Sequence, residues 1–345
     1  MDWERRKRPA ASILDTGGLT PLVRLGRTVA EVQASVFVKL EYFGPSGSVK
    51  DRILPAMVEE AERRGDLRPG MILIEGTTGN TGIATAMVGA AKGYRVIIVM
   101  PQGMSVERRQ VIQAYGAELV LTPGSESDVD LVLEKVRDLK ARWGSQIWEV
   151  AQFANPDNVR AHRQSTGPEI WEQTEGRVDA FVAAPGTGGT LTGVSEYLKG
   201  QRPEVLSFAV EPAECAILAG RGWGSHRIEG IGDGFIPDVL DLRWIDGVVT
   251  VSSEEAIAMA QRLAREEGIF CGISSGCNVA ACVKVARRYP DLRTIVSTIN
   301  DNGLRYLSTE LGGAPPPHGA SAAPARGIRP EDARRLAGKR LVVID

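Results

Sequence analysis

Short runs of β-branched and other apolar residues recur along the chain: VFVKLE (36–41), MILIEG (71–76), RVIIVMP (95–101), AELVLT (117–122), DAFVAAP (179–185), LSFAVEP (206–212) and RTIVSTI (293–299). Each reads as a strand. Between them, residues 48–65, 80–93, 126–143, 253–268 and 278–288 carry apolar positions at helical spacing. Strands that are apolar on both faces belong to parallel sheets covered by helices on both sides. The pattern therefore predicts an α/β fold of doubly wound, three-layer α/β/α units with mostly parallel sheets. At 345 residues the chain exceeds the roughly 250–300 that one hydrophobic core serves. Two units are expected, 1–155 and 156–311, divided at Asn155-Pro156. Residues 312–345 open with the linker-like GGAPPPHGASAAPARG and continue into a short charged helix and the run RLVVID. This predicts a tail, docked by Leu341 to Ile344.

Composition acts on this picture by exclusion. With 41 basic against 43 acidic residues, 43% hydrophobic and 24% charged, the chain has no bias toward nucleic acid or an anionic membrane. The first twenty residues, MDWERRKRPAASILDTGGLT, are basic but lack an apolar h-region. No later run approaches the roughly 18 apolar residues of a membrane span, and a cytoplasmic protein is expected. Cys215, Cys271, Cys277 and Cys282 form no CxxC pair and have no neighbouring His, so buried free thiols are expected, with no disulfide framework and no metal site. His162, His226 and His318 accompany no nucleophile motif, which makes Ser-His and Cys-His chemistry unattractive.

Ligands of doubly wound folds sit at the carboxyl ends of strands, and four loops there carry candidate chemistry. In Gly44-Pro45-Ser46-Gly47-Ser48-Val49-Lys50-Asp51-Arg52, Ser46 or Ser48 can cap a helix with Lys50 in its first turn. Cations are disfavoured at that end of a helix, and the placement helps produce the neutral amine that Schiff-base and proton-transfer chemistry need. A solvated lysine is the plainer reading of this loop alone. Glu75-Gly76-Thr77-Thr78-Gly79-Asn80-Thr81-Gly82 offers hydroxyls, an amide and free N–H groups at a helix start, a cradle for a carboxylate, beyond what a cap requires. Pro185-Gly186-Thr187-Gly188-Gly189-Thr190 suits a phosphate. A dinucleotide reading would use Gly186, Gly188 and Gly189 with Glu211 at the ribose, but the third glycine is misplaced, and PSGSVKDR stands where that fingerprint is due. Gly272-Ile273-Ser274-Ser275-Gly276 places two hydroxyls at another helix start, by itself an ordinary cap.

In this order and spacing the four loops resemble those of the fold-type II (tryptophan synthase β-like) pyridoxal-phosphate enzymes. The closest resemblance is to the cysteine synthases, or O-acetylserine sulfhydrylases, over about residues 13–309. PSGSVKDR resembles the family's lysine motif and implies Lys50 as the Schiff-base and catalytic residue. TTGNTG resembles its substrate loop, implying Thr77, Thr78, Asn80 and Thr81 at the amino-acid carboxylate, with Asn80 also at the cofactor's phenolic oxygen. GTGGT, Gly186 to Thr190, implies the pyridoxal 5'-phosphate cradle: Gly186, Thr187, Gly188, Gly189 and Thr190. Gln152 in VAQFANP resembles the second carboxylate contact, Ser274 the serine facing the pyridine nitrogen, and Gly230 and Asp233 in EGIGDGFIP line the substrate side. STGPEIWEQT and RYLST add support. The resemblance further implies that the first forty residues cross to the other sheet, that the enzyme is a homodimer, and that serine acetyltransferase is a partner.

The implied reaction is β-replacement on O-acetyl-L-serine by sulfide, giving L-cysteine and acetate through a Lys50 aldimine and an α-aminoacrylate. A hydroxyl at the pyridine nitrogen does not hold it protonated, which favours β-elimination over transamination. The match departs from the family in two places. Thr78 stands where a serine is usual. Asp233 stands where cysteine synthases carry a small residue, and its charge would repel a hydrosulfide anion but attract the amino group of a larger thiol such as homocysteine. The alternative is a cystathionine β-synthase-type condensation, against which the short tail weighs. A non-catalytic scaffold for serine acetyltransferase is the reading from another class. O-phosphoserine as donor calls for an arginine, for which Arg221 and Arg227 are the nearest candidates.

Overall fold

The computed structural model describes residues 2–124, 129–313 and 326–345. Its strands are β1 (Leu22–Arg24), β2 (Ser35–Leu40), β3 (Ile72–Gly76), β4 (Arg95–Pro101), β5 (Glu118–Thr122), β6 (Ile147–Glu149), β7 (Ala180–Ala183), β8 (Leu206–Pro212), β9 (Gly247–Val251), β10 (Thr294–Ile299) and β11 (Val342–Ile344). They form a four-stranded parallel sheet in the order β5-β4-β3-β6 and a seven-stranded sheet in the order β1-β2-β10-β7-β8-β9-β11. The larger sheet is parallel except for β1, which runs antiparallel to β2. The α/β fold class follows as expected.

Alternation along each strand explains the layering. In the small sheet Leu73, Val96, Ile98 and Met100 pack with Ile53, Met57 and Ile83 of the helices Lys50–Arg64 and Asn80–Lys92. Ile72, Ile74, Ile97 and Val99 face Val132 and Val136 of the helix Val129–Trp143 on the other side. In the large sheet Val36, Val38, Val182 and Val249 meet the helices Ser253–Arg262 and Ile273–Arg288, whereas Phe181, Ala183, Val248 and Val296 meet Leu191, Val194 and Leu198 of the helix Gly189–Gln201. Each fully buried Ile or Val side chain contributes about 1.5–3 kcal/mol of hydrophobic stabilisation.

The seven apolar runs all lie on strands, within a residue or two of their ends. The pattern misses β1 and β6, which have three residues each, too few to show a period. It also misses β9, and the helices Val106–Ala114, Pro156–Gln164 and Thr166–Gln173. The start of the predicted helix 126–143 and most of the predicted linker, residues 314–325 with His318, lie outside the described residues. Beyond them, the helix Pro330–Leu336 leads into β11, which pairs in parallel with β9 through Val342 to Ile344. A Cβ on Gly247 would stand 2.8 Å from the Val342 carbonyl, so glycine is what lets β11 approach.

One polar cluster ties the first turn of the helix Lys50–Arg64 to the large-sheet elements. Arg52 donates to Glu169 Oε1 and Oε2 at 2.8 and 2.7 Å and to Glu41 Oε1 at 2.9 Å. Lys39 pairs with Glu169 at 2.8 Å, and Thr20 donates to Glu41 at 2.9 Å. All four charged side chains are buried. Burial works against the charge of Glu169, but Arg52 and Lys39 hold its carboxyl down at about 2.

Replacing Arg52 by Met leaves Glu41 and Glu169 buried with Lys39 alone, and we expect a loss of about 3–5 kcal/mol in urea denaturation. Because the folded pKa of Glu169 lies below its ordinary 4.5, its contribution is present above that value and disappears as pH falls toward 2. Arg52→Met should accordingly flatten the acid limb of the stability curve.

Candidate active site

One cleft is lined by Lys50, Thr77, Thr78, Asn80, Thr81, Gln152, Gly186, Thr187, Gly188, Thr190, Gly230, Asp233 and Ser274. Of the cofactor and substrate residues that the resemblance implies, Gly189 alone is not on the lining; it is buried, its N–H donating to Thr187 Oγ1 at 3.3 Å.

The turn before Lys50 is fixed by its own carboxylate. Asp51 accepts the Ser46 and Ser48 N–H groups at 2.9 and 3.2 Å together with the Ser46 hydroxyl. Gly44 is required there, since a Cβ would stand 2.3 Å from Asp51 Oδ2. Of the two candidate caps, Ser48 Oγ takes the Lys50 N–H at 3.3 Å, while Ser46 acts through Asp51. Val49 N–H donates to the Asn300 carbonyl at 2.7 Å, joining the turn to the end of β10. Burial pushes the Lys50 amine below its ordinary 10.5; Asp301 and Asp233 oppose that shift and Arg305 adds to it.

After β3, Gly79 N–H donates to Thr77 Oγ1 at 3.1 Å, closing a tight turn into the helix Asn80–Lys92. Thr81 donates to Gln152 Oε1 at 2.6 Å. Gln152 is set by Glu75 at the end of β3, whose carboxyl accepts the Ala151 and Gln152 N–H groups at 2.9 and 3.4 Å. Ala151 has φ 52, a left-handed conformation that non-glycine residues adopt at a cost of about 1–2 kcal/mol. Burial, with Glu149 nearby, pushes Glu75 up to about 8 despite those N–H groups. Asn80 is held at both ends of its amide: Nδ2 donates to Asp301 Oδ2 at 2.7 Å, and Oδ1 accepts from Arg305.

The loop after β7 is shaped for an anion. Gly188 has φ 89, and a Cβ on Gly186 would stand 2.4 Å from the Gly230 carbonyl, so this loop and the Gly230–Asp233 segment are in van der Waals contact. Asn158 donates to Thr187 Oγ1 at 3.0 Å, and a Cβ on Gly189 would collide with Asn158 Oδ1 at 1.9 Å. Thr190 Oγ1 lies 3.0 Å from His162 Nε2, and His162 Nδ1 lies 2.9 Å from Thr166 Oγ1. Burial, then Arg52 and Lys50, push His162 well below 6.5, so it stands neutral behind the loop. Its role as a buried support had no sequence signal. At the far end of the cleft Ser274 lies in the first turn of the helix Ile273–Arg288, with Asn300 Nδ2 3.4 Å from its Oγ.

Also on the lining, Arg108 and Glu229 form an ion pair. The Arg108 side chain covers Gly79, where a Cβ would meet its Cδ at 2.3 Å, and its guanidinium lies over the Tyr306 ring at 4.7 Å. Sequence reasoning missed Arg108, Asn158, Asn300, Asp301, Arg305 and Tyr306 as parts of the site; only RYLST carried a trace of the last two. Arg221 and Arg227 pair instead with Asp345 and with Glu254 and Glu310, and neither lines the cleft. All four cysteines are buried and free. Burial pushes their thiols up, Cys215 and Cys282 to about 12, as inert packing groups.

The donor set fits one particular cofactor: a desolvated amine, N–H groups at a helix start beside two threonines for a phosphate, and a serine hydroxyl across from them. The family model for pyridoxal-phosphate dependent enzymes matches residues 13–301. The chain belongs to this family. Among pyridoxal-phosphate dependent enzymes it is 46% identical to a cysteine synthase of Staphylococcus aureus over 306 residues, 88% of this chain and 98% of that one. It resembles the solved cysteine synthase of Entamoeba histolytica at 40% identity and a TM-score of 0.85, covering 97% of each chain. It also resembles O-ureido-L-serine synthase at 44% identity and a TM-score of 0.84, over 91% of this chain and 98% of that one. The cofactor of this pyridoxal-phosphate dependent enzyme is thus pyridoxal 5'-phosphate.

Borohydride treatment of the wild-type holoenzyme should fix the cofactor to the peptide carrying Lys50, read by mass spectrometry, and Lys50→Ala should give no modified peptide. Modification at another lysine in the wild type would overturn the assignment.

Proposed function

We propose that this enzyme is a cysteine synthase: it replaces the acetoxy group of O-acetyl-L-serine by sulfide, yielding L-cysteine and acetate. The observation that carries the reading is the joint placement of the Lys50 amine, the Thr77–Thr81 carboxylate cradle and the Gly186–Thr190 anion cradle on one cleft. Similarity to the cysteine synthases over nearly the whole chain supports it.

Gly186, Thr187, Gly188, Gly189 and Thr190 would hold the cofactor's phosphate, Ser274 would face its pyridine nitrogen, and Asn80 would reach its phenolic oxygen. Bound pyridoxal phosphate supplies an electrophilic carbon for amines and a ring that withdraws electrons from the substrate's Cα. Thr77, Thr78, Asn80, Thr81 and Gln152 would bind the amino-acid carboxylate through hydroxyls, amides and helix-terminal N–H groups. Lys50, neutral once displaced, takes the proton from Cα while acetate leaves Cβ, and returns it after sulfide has added there. Arg108, over Gly79, braces the carboxylate loop and screens it from water.

The same reading includes a homodimer in the cytoplasm, an N-terminal unit to residue 155, a C-terminal unit 156–311 and a tail 312–345, and serine acetyltransferase as partner. Among the described residues no helix is long and apolar enough to cross a membrane.

Asp233 supports a second reading of the acceptor. It lines the cleft and its charge reaches Lys50, so an incoming hydrosulfide meets a repelling carboxylate, whereas the ammonium of an amino-acid thiol such as homocysteine is attracted.

Adding O-acetyl-L-serine to the holoenzyme should shift the cofactor's absorption band to longer wavelength, and sulfide should return it with formation of L-cysteine. A band indifferent to O-acetyl-L-serine would remove this donor and point to serine or phosphoserine. Asp233→Ala should raise kcat/KM for sulfide relative to homocysteine by about tenfold, the equivalent of about 1.4 kcal/mol. An unchanged ratio would take Asp233 out of acceptor selection.

A further inference from the structure

We propose that Asp301 is the fixed counter-charge of Lys50: a buried carboxylate, anchored by Tyr306 and Asn80 and joined through the backbone to the lysine's turn, that stabilises the ammonium formed when Lys50 takes the substrate's proton. The proposal rests on the reading of Lys50 as the proton-carrying amine.

Asp301 is fully buried at the end of β10. Its Oδ2 accepts the Asn80 amide at 2.7 Å and the Tyr306 hydroxyl at 2.6 Å, while Oδ1 has no hydrogen-bond partner among the described residues. A buried carboxylate oxygen left without a donor costs about 1–3 kcal/mol or more, a cost that a cation formed during turnover would offset. Asp301 forms an isolated backbone bridge with Ser48, two residues before Lys50, so the two side chains rise from one rigid junction.

The charged groups facing Lys50 are Asp301, Asp233 and Arg305, with neutral His162 behind the phosphate loop. Asp233 is partly exposed and screened by water; Asp301 is not, and its charge acts at lower dielectric. Facing Asp301 are Arg305, the Tyr306 hydroxyl and the Cys271 thiol, the last two pushed up by burial and by Asp301 itself.

In the proton step the Cα–H bond breaks and an N–H bond forms on Lys50, while the C–H electron pair becomes the Cα–Cβ double bond and acetate leaves with the Cβ–O pair. The amine becomes an ammonium within the field of the buried Asp301 carboxylate, which stabilises it through space without direct contact. Asp301 touches neither the substrate nor the proton; it is a positioning residue.

The test is the pH dependence of Lys50 acetylation in the full chain stripped of cofactor, pulsed with acetic anhydride and read by peptide mass spectrometry. This measurement is independent of which ester or thiol the enzyme uses, so it can fail while the cysteine synthase reading stands, and the reverse. Asp301→Asn should lower the Lys50 midpoint by about one pH unit or more, because the main opposing charge is gone, whereas Tyr306→Phe, which keeps that charge, should leave it within about 0.3 unit. A midpoint unmoved in Asp301→Asn, or moved equally in Tyr306→Phe, overturns the proposal.

In the holoenzyme, Asp301→Asn should lower kcat about tenfold or more with KM changed less than about threefold; a change confined to KM would make Asp301 a support of Asn80 only. Should Asp301→Asn not fold, carboxyl-carbon NMR of the Asp233→Ala chain, without cofactor, gives the answer. One aspartate signal should follow the Lys50 titration and lose that response in Lys50→Met, and the absence of any such signal overturns the proposal.

Discussion

Two carboxylates, a guanidinium and an ammonium removed from water are stable only while all four stay in register, because each alone would be an uncompensated buried charge. The cluster of Glu41, Arg52, Glu169 and Lys39 imposes that condition two residues beyond Lys50. Arg52 comes from the helix that packs on the small sheet, Glu41 follows β2 and Glu169 lies on the helix Thr166–Gln173. The relative placement of the two sheets near the lysine is therefore set by bidentate geometry, which tolerates little sliding. Hydrophobic faces alone would allow more latitude, since packing of apolar surfaces is non-directional.

The cleft keeps most formal charge out of the groups proposed to hold its ligands. The cradles proposed for the carboxylate and the phosphate are made of N–H groups, hydroxyls and amides, which favour anions without carrying formal charge. Formal charges besides Lys50 lie either on the lining, in Arg108, Glu229 and Asp233, or buried off it, in Asp301 and Arg305. Neutral donors also need no counter-ion when the ligand leaves, so the cradles can remain in shape. Behind them Glu75, its carboxyl pushed up to about 8 by burial, accepts the Ala151 and Gln152 N–H groups.

Much of this architecture was legible in the sequence because it is local. The apolar runs became strands since a parallel strand buries both faces, and PSGSVKDR, TTGNTG and GTGGT each lie on one strand-to-helix turn where spacing and contact coincide. The supports were not legible because their partners are remote: Asp301 reaches Asn80 across more than two hundred residues, and Asn158 reaches Thr187 from a separate helix. A single Asp or Asn has no periodicity and no neighbour that announces its burial. His162 illustrates the same limit, since it accompanies no nucleophile motif and yet stands directly behind Thr190.

The short strand β11 alters the outline of the large sheet in a way unrelated to chemistry. By pairing with β9 it occupies what would otherwise be a bare parallel edge, Gly247 to Val249, a template on which another chain could add. The new edge is only three residues long, and the Asp345 carboxylate beside it is tied to Arg221 and Thr250. Residues 342–344 thus shield the β9 backbone from further pairing, a packing role separate from the chemistry of the cleft.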